Sequence, residues 1–259
     1  MNVLMVGSGK MGGAILSRLV QAHVGHITVV DPGAPSVPIG VTLMRHPDNL
    51  QFRAFDLIIL AVKPQLLDEI VPKYADKLNA KGFFLSIAAG ASVDKIRELA
   101  SNASVVRAMP NLPALIGRSV TGLYAGKGVT VGQRVIAQTV CQYFGSVVWV
   151  KGEDGLDKLT AIAGSGPGYI FEFVRVYVEA AKRLGFEDDI AKSLVLETII
   201  GSAEMALSSD QDVVDLRNSV TSKNGTTEAG IKALARDGML DMLIQNATEA
   251  AYQRAKELR

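Results

Sequence analysis

Three glycines in "VGSGKMGGA" are spaced Gly7-x-Gly9-x-x-Gly12, after a short apolar run and at the opening of a helical pattern. That spacing suits phosphate binding. A glycine at 7 permits a tight turn, Gly9 lets backbone approach a pyrophosphate, and Gly12 lets helix pack close on strand. The helix start, Ser8, Lys10 and Met11 included, offers unpaired N–H groups and the positive end of a dipole. Asp31 closes the next apolar run, about 20 residues on, where a carboxylate can accept both ribose hydroxyls of a dinucleotide. A 2′-phosphate would meet that charge at contact distance. With no ligand, the same residues make a glycine-rich turn and a turn aspartate in "DPG".

A second stretch, "SVTSKNGTTEAG" at 219–230, holds hydroxyls, glycine and one lysine, with no histidine, cysteine or carboxylate pair. A helix starting near Gly225-Thr226-Thr227 would aim free N–H groups at a carboxylate, with the Ser222 hydroxyl added. The same hydroxyls would serve equally well as helix caps. In "AIAGSGPGYIF", Ser165 and Pro167 read as a cap with proline in the first turn. Glycines beside them would admit a flat ring. "AVKPQ" (Ala61, Val62, Lys63, Pro64) and "SIAAG" (Ala88, Ala89) end apolar runs, and both also read as plain strand-to-helix turns.

Positioning these residues requires a sheet. "NVLMVG", "HITVVD", "FDLIILAV", "GFFLSIAAG", "SVVRAMP", "VTGLYAG" and "SVVWV" read as strands. "FDLIILAV" runs on without alternation, as a strand covered on both faces does. Helices are predicted between them at 65–79, 92–101 and 129–144. The rhythm predicts a Rossmann-like, doubly wound α/β sheet over residues 1–152. From 153 to 259 every pattern is helical, an all-α domain for dimerisation and substrate. Gly185 and Gly238 suit C-terminal caps, and Glu187, Asp188 and Asp189 suit a helix start. The segment 190–207 is apolar nearly all round, and the last helix has a broad apolar face from Leu240 to Leu258. Such helices must be covered, and a second subunit is the expected cover.

Composition narrows the function classes. Of 259 residues, 48% are hydrophobic and 20% charged, and Lys+Arg at 27 balance Asp+Glu at 26. No field exists to hold nucleic acid or an anionic membrane. No apolar run of about 18 residues exists to span a bilayer. The N-terminus enters its first strand without the basic start of a secretory signal, so the cytoplasm is the expected compartment. A lone Cys141 excludes an internal disulfide, and the three histidines lack metal-ligand spacing, so no metal is expected.

"AVKPQ", "SIAAG", "RAMPNLP", "AIAGSGPGYIF" and "LRNSVTSKNGTTEAG", in this order, resemble the pyrroline-5-carboxylate reductase family. The likeness spans nearly the whole chain. It implies reduction of 1-pyrroline-5-carboxylate to L-proline with NADH or NADPH, the last step of proline biosynthesis. It implies a homodimer, open to larger assembly, acting on a small molecule. It also implies that Ser165, Ser222, Gly225, Thr226 and Thr227 bind substrate, with the Thr227 hydroxyl facing the ring nitrogen. Three departures stand out. The family's "SPGGTT" is Ser222-Lys223-Asn224-Gly225-Thr226-Thr227, Gly168 stands where alanine is usual, and Asp31 stands where Ser, Asn or Arg often meets a 2′-phosphate. Asn224 tolerates the left-handed backbone that glycine would take.

Two alternatives remain at this point. A β-hydroxyacid dehydrogenase-like enzyme would need a base for its hydroxyl proton. Here the helix after the glycines carries no lysine until Lys182, and Lys158 precedes them. A nucleotide-binding regulator could keep the fold without turnover.

Overall fold

The computed structural model describes the backbone of residues 1–259 and every side chain except that of Asn49. Eight strands form one sheet: β1 (Asn2–Val6), β2 (His26–Val30), β3 (Thr42–Met44), β4 (Phe55–Leu60), β5 (Leu78–Ser86), β6 (Val105–Met109), β7 (Ser119–Ala125) and β8 (Gly145–Trp149). Their order is β3-β2-β1-β4-β5-β6-β7-β8, parallel throughout except between β6 and β7. Apolar runs feed both faces, as pattern reading expected. Leu57 and Ile59 of β4 pack with Ile15 and Leu19 of α1 (Lys10–Gln21) and Ala137 of α4 (Val131–Gln142). Ile58 and Leu60 pack on the other face with Leu67 of α2 (Leu67–Ile70) and Val93 and Ile96 of α3 (Val93–Leu99). Each fully buried side chain of this size contributes about 1.5–3 kcal/mol.

Strand order reverses between β1 and β4. In open α/β sheets the crevice for ligands lies there, beyond the carboxyl ends of the strands. Gly7 N donates to Val30 O at 2.9 Å, and Ala61 N donates to Val6 O at 2.8 Å. The turns after β1 and β4 are thus pinned side by side.

The helix predicted over 65–79 is one α-turn, α2, between 3₁₀ turns at Pro64–Leu66 and Val71–Lys77, and 78–79 already belong to β5. Pro64 and Pro72 each lack an N–H for an α ladder. The helix at 92–101 shrinks to α3, capped by Ser92, whose hydroxyl accepts from Lys95 N at 3.2 Å. That at 129–144 shrinks to α4, started by a Thr130–Gln133 capping box. β3, only three residues long, carries too little pattern to be foreseen.

After Trp149 the chain is helical: α5 (Gly152–Leu159), a π turn at Thr160–Gly164, α6 (Gly166–Arg183), α7 (Asp188–Ser208), α8 (Val213–Ser219), α9 (Thr226–Leu234) and α10 (Met239–Leu258). Gly185 (φ +96°) ends α6, and Glu187 is the N-cap of α7. Compactness divides the chain elsewhere: residues 1–167 with 250–259 form one unit, 168–249 the other. Side chains explain the first unit's extent. Glu153, in the first turn of α5, accepts from Val93 N at 2.6 Å and from the Arg107 guanidinium, which is 4% exposed. Tyr252 donates to Asp154, and Arg259 pairs with Asp157 at 2.9 Å, as an ion pair rather than a well-directed hydrogen bond. The end of α10 is therefore docked on α5.

The second unit has almost no core of its own. Its buried apolar residues are Ala181, Ala191 and Val195. In one chain, α7 is not the buried helix its composition demands: Ile190, Leu194, Ile200, Met205 and Leu207 are exposed. Leu240, Leu243 and Ile244 on α10 are exposed as well. Covering each would contribute about 1.5–3 kcal/mol, counted twice in a twofold interface. Association costs about 4–15 kcal/mol, so the sum favours a second copy. We expect a dimer or larger species by light scattering at micromolar concentration, and Leu243→Lys should weaken it at least tenfold. A monomeric wild-type chain would show that these faces stay in water.

Candidate active site

The turn between β1 and α1 is closed on one side and open on the other. Gly7 has φ +89°, and a Cβ there would lie 2.7 Å from Ala61 O and 2.9 Å from Val62 Cγ1. A Cβ on Gly12 would lie 2.8 Å from Gly7 O. Among the described residues, a Cβ on Gly9 would meet nothing within 4 Å. Gly9 is also the N-cap of α1, with no side-chain cap and no acid in the first turn. The N–H groups of Lys10, Met11 and Gly12 therefore face an open cradle, which suits a pyrophosphate. Lys63 is exposed and caps the short turn that begins at Pro64. Ala88 and Ala89 lie one strand further on, where Ile87 N bonds Leu60 O at 3.0 Å and Ala88 N bonds Ser86 Oγ at 3.3 Å.

Asp31 closes the rim. Its Oδ2 accepts from Ser8 N at 2.7 Å and Ser8 Oγ at 2.8 Å, and its Oδ1 accepts from Gly33 N at 2.8 Å. Partial burial opposes its charge, but the Ser8 hydroxyl and the backbone N–H groups of Ser8, Gly33 and Ala34 outweigh that and hold the carboxyl below its ordinary range. A carboxylate has about four lone-pair sites, and these donors engage most of them. The Ser8 hydroxyl keeps its own lone pairs for an incoming donor. Arg45, which sequence reading passed over, donates from Nη1 to the carbonyls of Asp31 (3.3 Å), Pro32 (3.4 Å) and Ala34. Its only sequence signal is a lone cation just past β3.

Ser165 is not an extended cap as its sequence suggests. Its φ/ψ of −83°/−22° is right-handed helical, and its N–H reaches back five residues to Thr160 O at 2.8 Å. The π turn absorbs the proline without an extended break. A Cβ on Gly166 or Gly168 would meet nothing within 4 Å among the described residues, so the turn beside Ser165 is open. Asn111, from the "MPN" loop, is 7% exposed, and its Nδ2 donates to Ala163 O at 2.8 Å. Lys158 pairs with Asp154 at 2.7 Å. That bond raises the lysine's pKa, the opposite of what a base requires.

In the second unit, the 219–230 stretch leads into α9. Gly225 is the N-cap of α9, and no side chain caps the helix. Among the described residues, no hydrogen bond occupies the hydroxyl of Ser222, Thr226 or Thr227. All three residues are exposed in the single chain. Asn224 adopts the left-handed backbone, φ +61°. Glu228 folds back to accept from Asn224 N at 2.6 Å and pairs with Lys232 at 3.0 Å. Lys232 first, then the Asn224 N–H, lowers the carboxyl's pKa. The acid is committed to the Asn224 N–H just before the N-cap and to Lys232, and no side chain caps the first turn of α9.

Residues 153–258 match the family model described as pyrroline-5-carboxylate reductase dimerisation, and residues 2–90 match that described as NADP oxidoreductase, coenzyme F420-dependent. The pyrroline-5-carboxylate reductase of Pseudomonas aeruginosa is 34% identical over 99% of this chain and 96% of its own. That of Synechocystis is 33% identical over 98% and 97%. Among solved structures, the Coxiella burnetii pyrroline-5-carboxylate reductase superposes with a TM-score of 0.92 at 34% identity, covering 99% of this chain and 98% of that one. The Plasmodium falciparum pyrroline carboxylate reductase with NADP bound superposes at 0.86 and 28% identity, covering 100% and 98%. With similarity of this depth running end to end through both the sheet and the helices, the chain belongs to the pyrroline-5-carboxylate reductase family.

Proposed function

We propose that this chain reduces 1-pyrroline-5-carboxylate to L-proline with NADH or NADPH. The observation that carries the reading is the start of α9, uncapped and flanked by three free hydroxyls. No side chain of this helix caps that end. It suits an anion such as the substrate carboxylate, held by the N–H groups of Thr226 and Thr227 and by Ser222 Oγ.

An imine asks little of the protein. The ring nitrogen can carry its own proton, and a protonated C=N is a good hydride acceptor. The nicotinamide, when bound, supplies that hydride. The chain's own work is to hold the carboxylate, to orient the ring nitrogen through the Thr227 hydroxyl, and to admit the ring beside Ser165 and the open glycines. The Asp154-paired Lys158 argues against a dehydrogenase that needs a lysine base. Lys10, Met11 and Gly12 hold the pyrophosphate, while Ala61, Val62, Ala88 and Ala89 border the cofactor. Asp31 takes one ribose hydroxyl and Ser8 Oγ takes the other. The enzyme acts as a homodimer in the cytoplasm, free of nucleic acid and membrane.

Mixing the protein, NADH or NADPH and pyrroline-5-carboxylate should deplete absorbance at 340 nm and yield proline. Nucleotide binding without turnover would leave only a regulator.

Asp31 should favour NADH. A charge-assisted hydrogen bond contributes about 1.5–3 kcal/mol. Asp31→Ser should therefore shift the NADH-to-NADPH ratio of kcat/KM toward NADPH by roughly ten- to a hundredfold. An unmoved ratio would remove Asp31 from ribose recognition.

Thr227→Val keeps the side chain's shape and deletes its hydroxyl. Loss of a net hydrogen bond of about 1–3 kcal/mol predicts a roughly five- to 150-fold fall in kcat/KM for the imine. NADH affinity should hold, since no contact to the dinucleotide is changed. A variant that melts earlier yet turns over normally would make Thr227 a stabilising residue only.

A further inference from the structure

Pro167 removes a donor that a helix at this point requires. In an α ladder the N–H of residue 167 would bond the carbonyl of residue 163. Proline has no N–H. The backbone passes from α5 through the π turn and resumes as α6 at Gly166, leaving Ala163 O without a ladder partner. Even a part-buried carbonyl left unpaired forfeits a hydrogen bond. Its partner comes from 52 residues away: Asn111 Nδ2, at 2.8 Å.

Asn111 is held from every other direction. Its N–H donates to Ser119 Oγ at 3.2 Å, and its Oδ1 accepts from Val120 N at 3.0 Å. Ser119 Oγ is in turn 3.1 Å from Thr121 Oγ1. Ser119 and Thr121 are fully buried in β7. The amide is therefore fixed in orientation by the sheet, and its remaining donor is aimed at the π turn. A Cβ on Gly164 would meet the Met109 side chain, from the end of β6, at an ordinary packing distance of 3.8 Å.

We propose that Asn111 is a positioning residue: it replaces the N–H that Pro167 lacks, and so fixes the π turn that carries Ser165. This rests on the reductase reading for what Ser165 does, but not for the bond itself. The sheet that sets the cofactor crevice then also sets the height of the turn admitting the substrate ring. A π turn is adjustable by a residue's rise, so a fixed external donor decides where Ser165 comes to rest.

The test is a double-mutant cycle of Asn111→Ala and Pro167→Ala, read by thermal unfolding and steady-state kinetics on the same preparations. Asn111→Ala should lower the unfolding midpoint by about 2–4 °C beside Pro167. It should cost clearly less in the Pro167→Ala background, where residue 167 again has an N–H. Equal loss in both backgrounds would overturn the substitution of donors. With Pro167 in place, Asn111→Ala should cut kcat per folded molecule by about ten- to a hundredfold, because small misplacements of substrate are that expensive. KM for NADH should change by less than about twofold, since the phosphate cradle is untouched. An earlier melt with full kcat would overturn the positioning role. If Asn111→Ala fails to fold, Asn111→Asp keeps the acceptor for Val120 N and enters the same cycle. A wild-type protein without turnover would defeat the reductase reading alone, because the unfolding midpoints still read the Asn111–Pro167 coupling.

Discussion

Every helix begins with N–H groups that have no partner in the helix, and the way this chain disposes of them organises the molecule. Three starts are settled by side-chain caps. Ser92 caps α3, Thr130 and Gln133 box α4, and Asp212 accepts from Val214 N at the start of α8. The first turns of α5 and α7 carry acids, Glu153 with Asp154 and Asp188 with Asp189. Against that background α1 and α9 differ. Each starts at a glycine, α1 has no acid in its first turn, and the single acid of α9 is bent back to Asn224. Unmatched donors at those two ends are where anionic groups of a dinucleotide and a carboxylate substrate would be stabilised.

Local chemistry was legible and non-local chemistry was not. β-branched apolar runs disclosed seven of the eight strands, because a strand buried on both faces leaves no polar alternation. The three glycines could be given separate roles because each role is a demand on one residue's φ or on one missing Cβ. Hydroxyls at 222–227 could not be assigned from sequence, since a cap and an anion cradle ask for the same side chains. In the structure Glu228 bonds the Asn224 N–H and none of those hydroxyls caps the helix. Asn111 and Arg45 were invisible as positioning groups. Their partners lie 52 and 11–14 residues away, and nothing in the local pattern ties them together. The helix predicted at 65–79 failed for a local reason given too little weight, the proline at 72.

The second unit shows a different economy. Its helices meet their internal hydrogen-bond demands yet leave their apolar side chains in water, with a core of only Ala181, Ala191 and Val195. A hydrogen-bonded ladder does not stabilise a helix much by itself; burial of its face does. Stability of this unit is thus tied to association.

Charge at the cofactor rim follows the same logic of satisfied and unsatisfied groups. Asp31 is ionised because the Ser8 and Gly33 donors outweigh its partial desolvation. Arg45 is the cation nearest in sequence that bonds this turn, and its guanidinium is committed to the backbone carbonyls of residues 31, 32 and 34. A 2′-phosphate arriving here would meet a carboxylate directly and would have to draw Arg45 from those carbonyls to be neutralised. A ribose hydroxyl makes no such demand, since it brings no charge to the carboxylate and leaves the Arg45 clamp in place. A preference for NADH would therefore rest on the bonds Asp31 and Arg45 already make, which a ribose hydroxyl leaves in place and a 2′-phosphate would have to break.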